Sequence, residues 1–225
     1  MTVATTIVER LAAVRAEIER ACERAGRDPA SVTLVAVTKT HPLEIVREAV
    51  EAGLTDLGEN RAQEFVPKAE TAAGAGLAPR WHFIGHLQRN KVRRVAPHID
   101  VLHSVDSERL VAEIERRAAR PLPCYIEVNV AGEASKQGVA PEELPALLAS
   151  AAAASNVEVA GLMTIAPLVD EPEEVRPVFR RLRELAHAHG LDGLSMGMTD
   201  DYAVAIEEGA TIVRVGRAIF GDRRP

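Results

Sequence analysis

Only two cysteines, Cys22 and Cys124, occur among the 225 residues. They lie far apart and match no metal-ligand or redox spacing, so buried free thiols in a reducing compartment are expected rather than a disulfide. Long apolar runs are missing too. The most apolar window, Ala146 to Ala154, is mostly alanine and too short to cross a bilayer, which suits a packed helix. The N-terminal segment carries Glu9, Glu17, Glu19 and Glu23 in an amphipathic pattern where a secretion signal needs an unbroken apolar stretch. A cytoplasmic protein without a membrane partner is therefore expected. Positive charge is not in excess either. The formal net charge is -6, whereas binding a phosphate backbone needs a concentrated basic surface, so no nucleic-acid partner is expected. Lysine is scarce within the basic set: of 27 basic residues only Lys39, Lys68, Lys91 and Lys136 are lysines.

What is present is a repeated alternation of strands and helices. Ile7, Leu11, Val14 and Ile18 form one stripe of an N-terminal helix that Gly26 stops. Val32 to Val37 is rich in β-branched residues and apolar on both faces, as a strand covered on both sides requires. His41-Pro42 then starts a helix with proline in its first turn, and Gly53 ends it in a left-handed cap before a strand from Leu54 to Leu57. Further short strands are expected near Trp81 to Ile84, Val101 to His103, Tyr125 to Val130, Val157 to Met163, Leu194 to Met196 and Ile212 to Val215. The exits Ala52-Gly53-Leu54, His189-Gly190-Leu191 and Glu208-Gly209-Ala210 read as one helix-to-strand joint used three times. Such alternation implies a parallel sheet. Eight units in this length favour an α/β chain folded as a single (β/α)8 TIM barrel with an extra N-terminal helix, over an open doubly wound sheet. No linker or low-complexity tract divides the chain, so residues 1–225 are expected to form one domain.

In such a barrel the reactive groups sit where strands end. A chain that uses arginine almost everywhere keeps a lysine, Lys39, at the end of its first strand. A lysine amine attacks an aldehyde, which arginine cannot do, although an ion pair capping the strand would also suit that position. The ends of strands seven and eight, around Ser195 to Asp200 and Val213 to Arg217, are the usual barrel location for a phosphate. Ser195 offers a hydroxyl, Gly216 admits close backbone approach, and the turn Arg217 to Phe220 can aim amides at an anion. Tight turns alone would also account for these glycines. Alternation puts Ile212, Arg214 and Gly216 on one face. A buried Arg214 needs a partner: either the nitrogen of a pyridine ring, or an ion pair with Glu127 or Asp56. His82 and His86 have no evident third ligand, so no metal is expected, and His86 is expected to cap the next helix. The acidic run Asp170, Glu171, Glu173 and Glu174 around Pro172 reads as a solvated helix start.

An aldehyde-reactive lysine, a phosphate cradle and a ring-nitrogen partner are the contacts that pyridoxal phosphate requires. The motifs Ala36-Val37-Thr38-Lys39, Gly58-Glu59-Asn60-Arg61 and Trp81-His82-Phe83-Ile84-Gly85-His86-Leu87-Gln88 open a longer series. It continues with Asn129-Val130, Ser135-Lys136-Gln137-Gly138, Gly161-Leu162-Met163, Ser195-Met196-Gly197-Met198 and Val215-Gly216-Arg217-Ala218-Ile219-Phe220-Gly221. In this order, from Val32 to Gly221, they closely resemble the pyridoxal phosphate homeostasis protein family. The resemblance implies a barrel like the N-terminal domain of alanine racemase, with pyridoxal 5'-phosphate as a Schiff base on Lys39. It implies Asn60 beside the cofactor, Ser195, Gly216 and Arg217 at the phosphate, and Arg214 at the ring nitrogen. Many relatives have threonine in place of Arg217, so its hydroxyl contact is lost here.

The same resemblance implies a protein without established catalytic activity that maintains vitamin B6 homeostasis by buffering or delivering the cofactor, with apo forms of pyridoxal phosphate enzymes as partners. A monomer is expected. The alternatives are an amino-acid racemase or decarboxylase-like enzyme and a class I aldolase-like lyase. Two-base racemisation needs a proton donor on the opposite ring face, and the tyrosines Tyr125 and Tyr202 both belong to the barrel. Lys136 reads as a surface charge or as a transient second amine.

Overall fold

The structure, a computed structural model, describes residues 6–133 and 136–221. Ser135 of the Ser135-Lys136-Gln137-Gly138 motif lies outside them. Thr6 starts helix α1, Ile7–Arg24, with a reciprocal cap: its Oγ1 accepts from the Glu9 amide at 3.2 Å while the Glu9 carboxylate accepts from the Thr6 amide at 2.8 Å. Leu11, Val14, Ile18, Ala21 and Cys22 form its buried face. Cys22 and Cys124 are both buried and free.

Eight parallel strands follow: β1 Thr33–Val37, β2 Asp56–Glu59, β3 Arg80–Phe83, β4 Val101–Val105, β5 Leu122–Glu127, β6 Val157–Met163, β7 Gly193–Met198 and β8 Ile212–Val215. Each pairs with the next, and β1 pairs with β8 through Val35 opposite Arg214, which closes the barrel. The helices between them are α2 Leu43–Glu51, α3 Ala62–Gly74, α4 Val92–Val95, α5 Glu108–Arg117, α6 Leu144–Ala152, α7 Arg176–Ala188 and α8 Tyr202–Glu207, with the short turn α9 Arg217–Phe220 after β8. The fold is thus a (β/α)8 TIM barrel. Its main core lies between sheet and helices. A second apolar group, Val35, Val101, Tyr125, Met163 and Ile212, fills the lumen.

The three glycine joints share one geometry. Gly53, Gly190 and Gly209 have φ of 83°, 68° and 101°. The residue after each returns its amide to the helix it leaves, Leu54 to Ala49, Leu191 to Ala186 and Ala210 to Ala205. The first joint moves β2 two residues beyond the expected Leu54, because the Leu54 amide is spent on the helix end and cannot enter the sheet. Pro42 is also displaced: it precedes α2 in an extended conformation, ψ 172°, and the helix begins at Leu43. β5 starts at Leu122 and ends at Glu127, since Asn129 donates to Val139 and the chain leaves the ladder. His86 caps no helix; its Nδ1 lies 2.9 Å from Asp106. The acidic run meets the start of α7, where Glu173 grips Arg176 at 2.7 Å with each oxygen.

Candidate cofactor site

Lys39 stands one residue beyond Thr38, just past the end of β1, and the turn that carries it is held from three sides. Lys68 of α3 donates to the Thr38 carbonyl at 2.9 Å and pairs with Glu59 at 2.5 Å. The Thr38 hydroxyl donates to the same Glu59 oxygen at 2.8 Å. The Thr40 amide donates to Glu64 at 3.3 Å. Thr40 itself has φ 65°, a left-handed conformation that a β-branched residue adopts only when its surroundings impose it. Burial pushes the Glu59 carboxyl up against the lowering effect of Lys68 and Thr38, and Glu59 Oε2 finds no partner among the described residues. This polar brace under the Lys39 turn was not visible in the strand pattern, because α3 supplies two of its three groups.

A cavity of about 220 Å³ opens above the turn, lined by Val37, Lys39, Ile84, Met198, Thr199, Asp200, Arg214, Gly216 and Arg217. Four of the six residues singled out from sequence therefore meet on one wall: Lys39, Arg214, Gly216 and Arg217. Gly216 leaves room there: a Cβ would stand 3.3 Å from both the carbonyl oxygen and Cβ of Val37, tighter than ordinary contact. The Arg217 guanidinium binds both oxygens of Asp200, at 2.6 and 2.5 Å, across the rim.

Ser195 and Asn60 do not line this cavity. Ser195 is fully buried, and its hydroxyl is engaged inside the lumen by Arg214 Nη1 at 2.7 Å and His103 Nδ1 at 2.8 Å. It sits midway along β7, and Thr199, just beyond the strand, reaches the cavity instead. The spacing of the Ser195-Met196-Gly197-Met198 motif held that signal, one residue past its end. Asn60 follows β2 directly. Its Oδ1 is buried without a partner among the described residues, and its backbone is approached so closely by Gly85 that a Cβ there would meet Asn60 Cα at 2.8 Å.

Arg214 is buried. Burial draws its guanidinium down to about 10, against the opposing pull of Asp201 and Glu127, so it stays charged at neutral pH. It donates to two neutral oxygens, Ser195 Oγ at 2.7 Å and the Thr164 carbonyl at 3.0 Å. Neither Glu127 nor Asp56 reaches ion-pair distance among the described residues. Behind Ser195 lies a pair of histidines, of which the sequence singled out His82 but not its partner His103. His103 Nε2 is 2.8 Å from His82 Nδ1, and His82 Nε2 is 2.9 Å from Asp56. Extending the inward alternation from His82 to His103 on the next strand would have found the partner.

The model of the alanine racemase N-terminal domain matches residues 10–224. A pyridoxal phosphate homeostasis protein of Aquifex aeolicus is 47% identical, over 96% of this chain and 98% of that one. Its namesake from Pseudomonas aeruginosa is 49% identical, over 97% and 96%. PipY of Synechococcus elongatus, solved with PLP bound, superposes with a TM-score of 0.84 at 35% identity, covering 96% of this chain and all of that one. With full-length relatives at this identity and the matching barrel, the chain belongs to the pyridoxal phosphate homeostasis protein family, built on the alanine racemase N-terminal fold.

Proposed function

We propose that this protein binds pyridoxal 5'-phosphate as a Schiff base on Lys39 and serves as a carrier that buffers the cofactor or hands it to apo-enzymes in the cytoplasm. The observation that carries the reading is the convergence of a primary amine, a buried guanidinium and a glycine edge on one cavity, Lys39, Arg214 and Gly216. The bound group supplies an aldehyde for the amine, a phosphate for the edge and a ring nitrogen for the guanidinium. Residues present in the structure fit it. The unpartnered Asn60 Oδ1 marks buried polar capacity beside β2, and Thr199 adds a hydroxyl where Ser195 does not reach.

Two features favour carriage over turnover. Arg214 keeps its proton at neutral pH, so opposite a ring nitrogen it makes the ring a weaker electron sink than a carboxylate would. Two-base chemistry also needs a proton donor on each ring face. Tyr125 is buried in the lumen, stacked on His103 with ring centroids 5.0 Å apart, and neither it nor Tyr202 lines the cavity.

Borohydride reduction of the loaded protein followed by peptide mapping tests the attachment. Modification is expected on Lys39 and is lost in Lys39→Ala, whose fold stays intact because the residue lies outside the packed layers. Cofactor found mainly on Lys68, Lys91 or Lys136 overturns the assignment. Transfer to an apo-enzyme in the presence of a trap for free pyridoxal phosphate tests delivery, and complete blockage by the trap leaves only a passive reservoir.

A further inference from the structure

Asp56, His82, His103, Ser195 and Arg214 form an unbroken run of hydrogen bonds through the barrel. From β8 the run passes to Ser195 on β7 at 2.7 Å and crosses the lumen to His103 on β4 at 2.8 Å. It continues to His82 on β3 at 2.8 Å and ends on Asp56 at the start of β2 at 2.9 Å. His82, His103, Ser195 and Arg214 are all buried. The two ends open on different cavities. Arg214 lines the one that holds Lys39, whereas Asp56 lines a separate cavity of about 360 Å³ with Thr33, Gly53 and Thr55 at the starts of β1 and β2.

The chemistry of the ends fixes the middle. A guanidinium only donates, and an ionised carboxylate only accepts. Ser195 Oγ therefore accepts from Arg214 and gives its own proton to His103 Nδ1. His103 must then carry its proton on Nε2 and donate to His82 Nδ1. His82 in turn carries its proton on Nε2 and donates to Asp56. Four bonds point the same way with both imidazoles neutral, and each polarises the next in the same sense. Adding a proton at His82 would reverse the bonds to His103 and Ser195 and leave the serine proton without an acceptor. Burial above all holds His103 well below the usual histidine range, and Asp56 lies below its ordinary value, its burial outweighed by bonds to His82 and Thr55.

We infer that Asp56, His82, His103 and Ser195 are positioning residues that lock Arg214 in one orientation toward the cofactor cavity, so that a carboxylate at the far mouth of the barrel controls how tightly the cofactor is held. The Thr164 carbonyl alone fixes one nitrogen of the fork, and Ser195 fixes the second. Ser195 can hold that geometry only while its proton is directed toward His103, which depends on the tautomers that Asp56 selects.

The inference rests on Arg214 facing pyridoxal phosphate, so the experiment has one arm that needs no cofactor. Histidine 15N NMR of the cofactor-free protein at pH 7 is expected to show His82 and His103 as neutral Nε2–H tautomers. In Asp56→Ala both should lose that single-tautomer signature, while Asp56→Asn, which keeps an oxygen acceptor, should retain it. In the loaded protein, Asp56→Ala is expected to weaken pyridoxal phosphate retention about five- to tenfold, the size of one lost buried hydrogen bond, with Asp56→Asn close to wild type. If Asp56→Ala does not fold, His82→Phe takes its place and should show the same loss of the His103 signature and of retention. A doubly protonated or Nδ1–H ring at either histidine of the wild type overturns the relay. So does unchanged retention in a folded variant whose tautomers have been released. A wild type that binds no pyridoxal phosphate but shows both Nε2–H tautomers refutes the cofactor reading and leaves the relay standing.

Discussion

Replacing Glu127 with glutamine should flatten the pH dependence of stability between about pH 4.5 and 7. Glu127 closes β5 beside the lumen and is only 3% exposed. Burial pushes its carboxyl up from 4.5 to about 7, with Asp106 adding to the rise and Arg214 opposing it. Between those values the folded protein keeps a proton that the unfolded chain has released. The associated stability is therefore fully present below about pH 4.5 and is lost as pH rises through 7. At about 1.36 kcal/mol per pH unit the interval corresponds to on the order of 3 kcal/mol. Urea titrations of the cofactor-free wild type and Glu127→Gln at a series of pH values would measure it, because the other titrating groups are common to both and cancel in the difference. The variant should gain on the wild type steadily from about pH 4.5 to 7 and level off above it, at unchanged denaturant slope. A constant offset between the two proteins across that range would refute the reasoning.

Three further outcomes concern the cavity edge and the serine behind it. Gly216→Val should reduce pyridoxal phosphate retention severely, since its Cβ already crowds Val37 at 3.3 Å and the branches extend into the cavity; fluorescence or absorbance titration giving wild-type affinity would place the phosphate elsewhere. Thr199→Val should cost about tenfold in affinity for pyridoxal phosphate but little for pyridoxal, if the hydroxyl serves the phosphate. Ser195→Ala should lower both ligands alike, because its hydroxyl serves Arg214; the opposite pattern would return the phosphate role to Ser195.

Much of the fold could be read from local periodicity. The eight strands, the glycine joints at Gly53, Gly190 and Gly209, and the stripe of α1 each depend on residues within a few positions of one another, so the sequence by itself determined them. Lys39 at a strand end and the inward direction of Arg214 followed from the same alternation. Closure did not, because only the pairing of β1 with β8, residues nearly the whole chain apart, distinguishes a barrel from an open sheet. Side-chain partners were decided later still. The Ser195 hydroxyl looked available for phosphate until the shear of the barrel set it opposite His103, 92 positions away. The Lys39 turn owes its brace to Lys68 on the next helix but one, and Arg214 owes its orientation to oxygens just past β6 and on β7. A hydroxyl or carboxylate bonds to whatever lies within about 3 Å, and in a closed sheet that neighbour is chosen by strand register across the lumen, which no local pattern encodes.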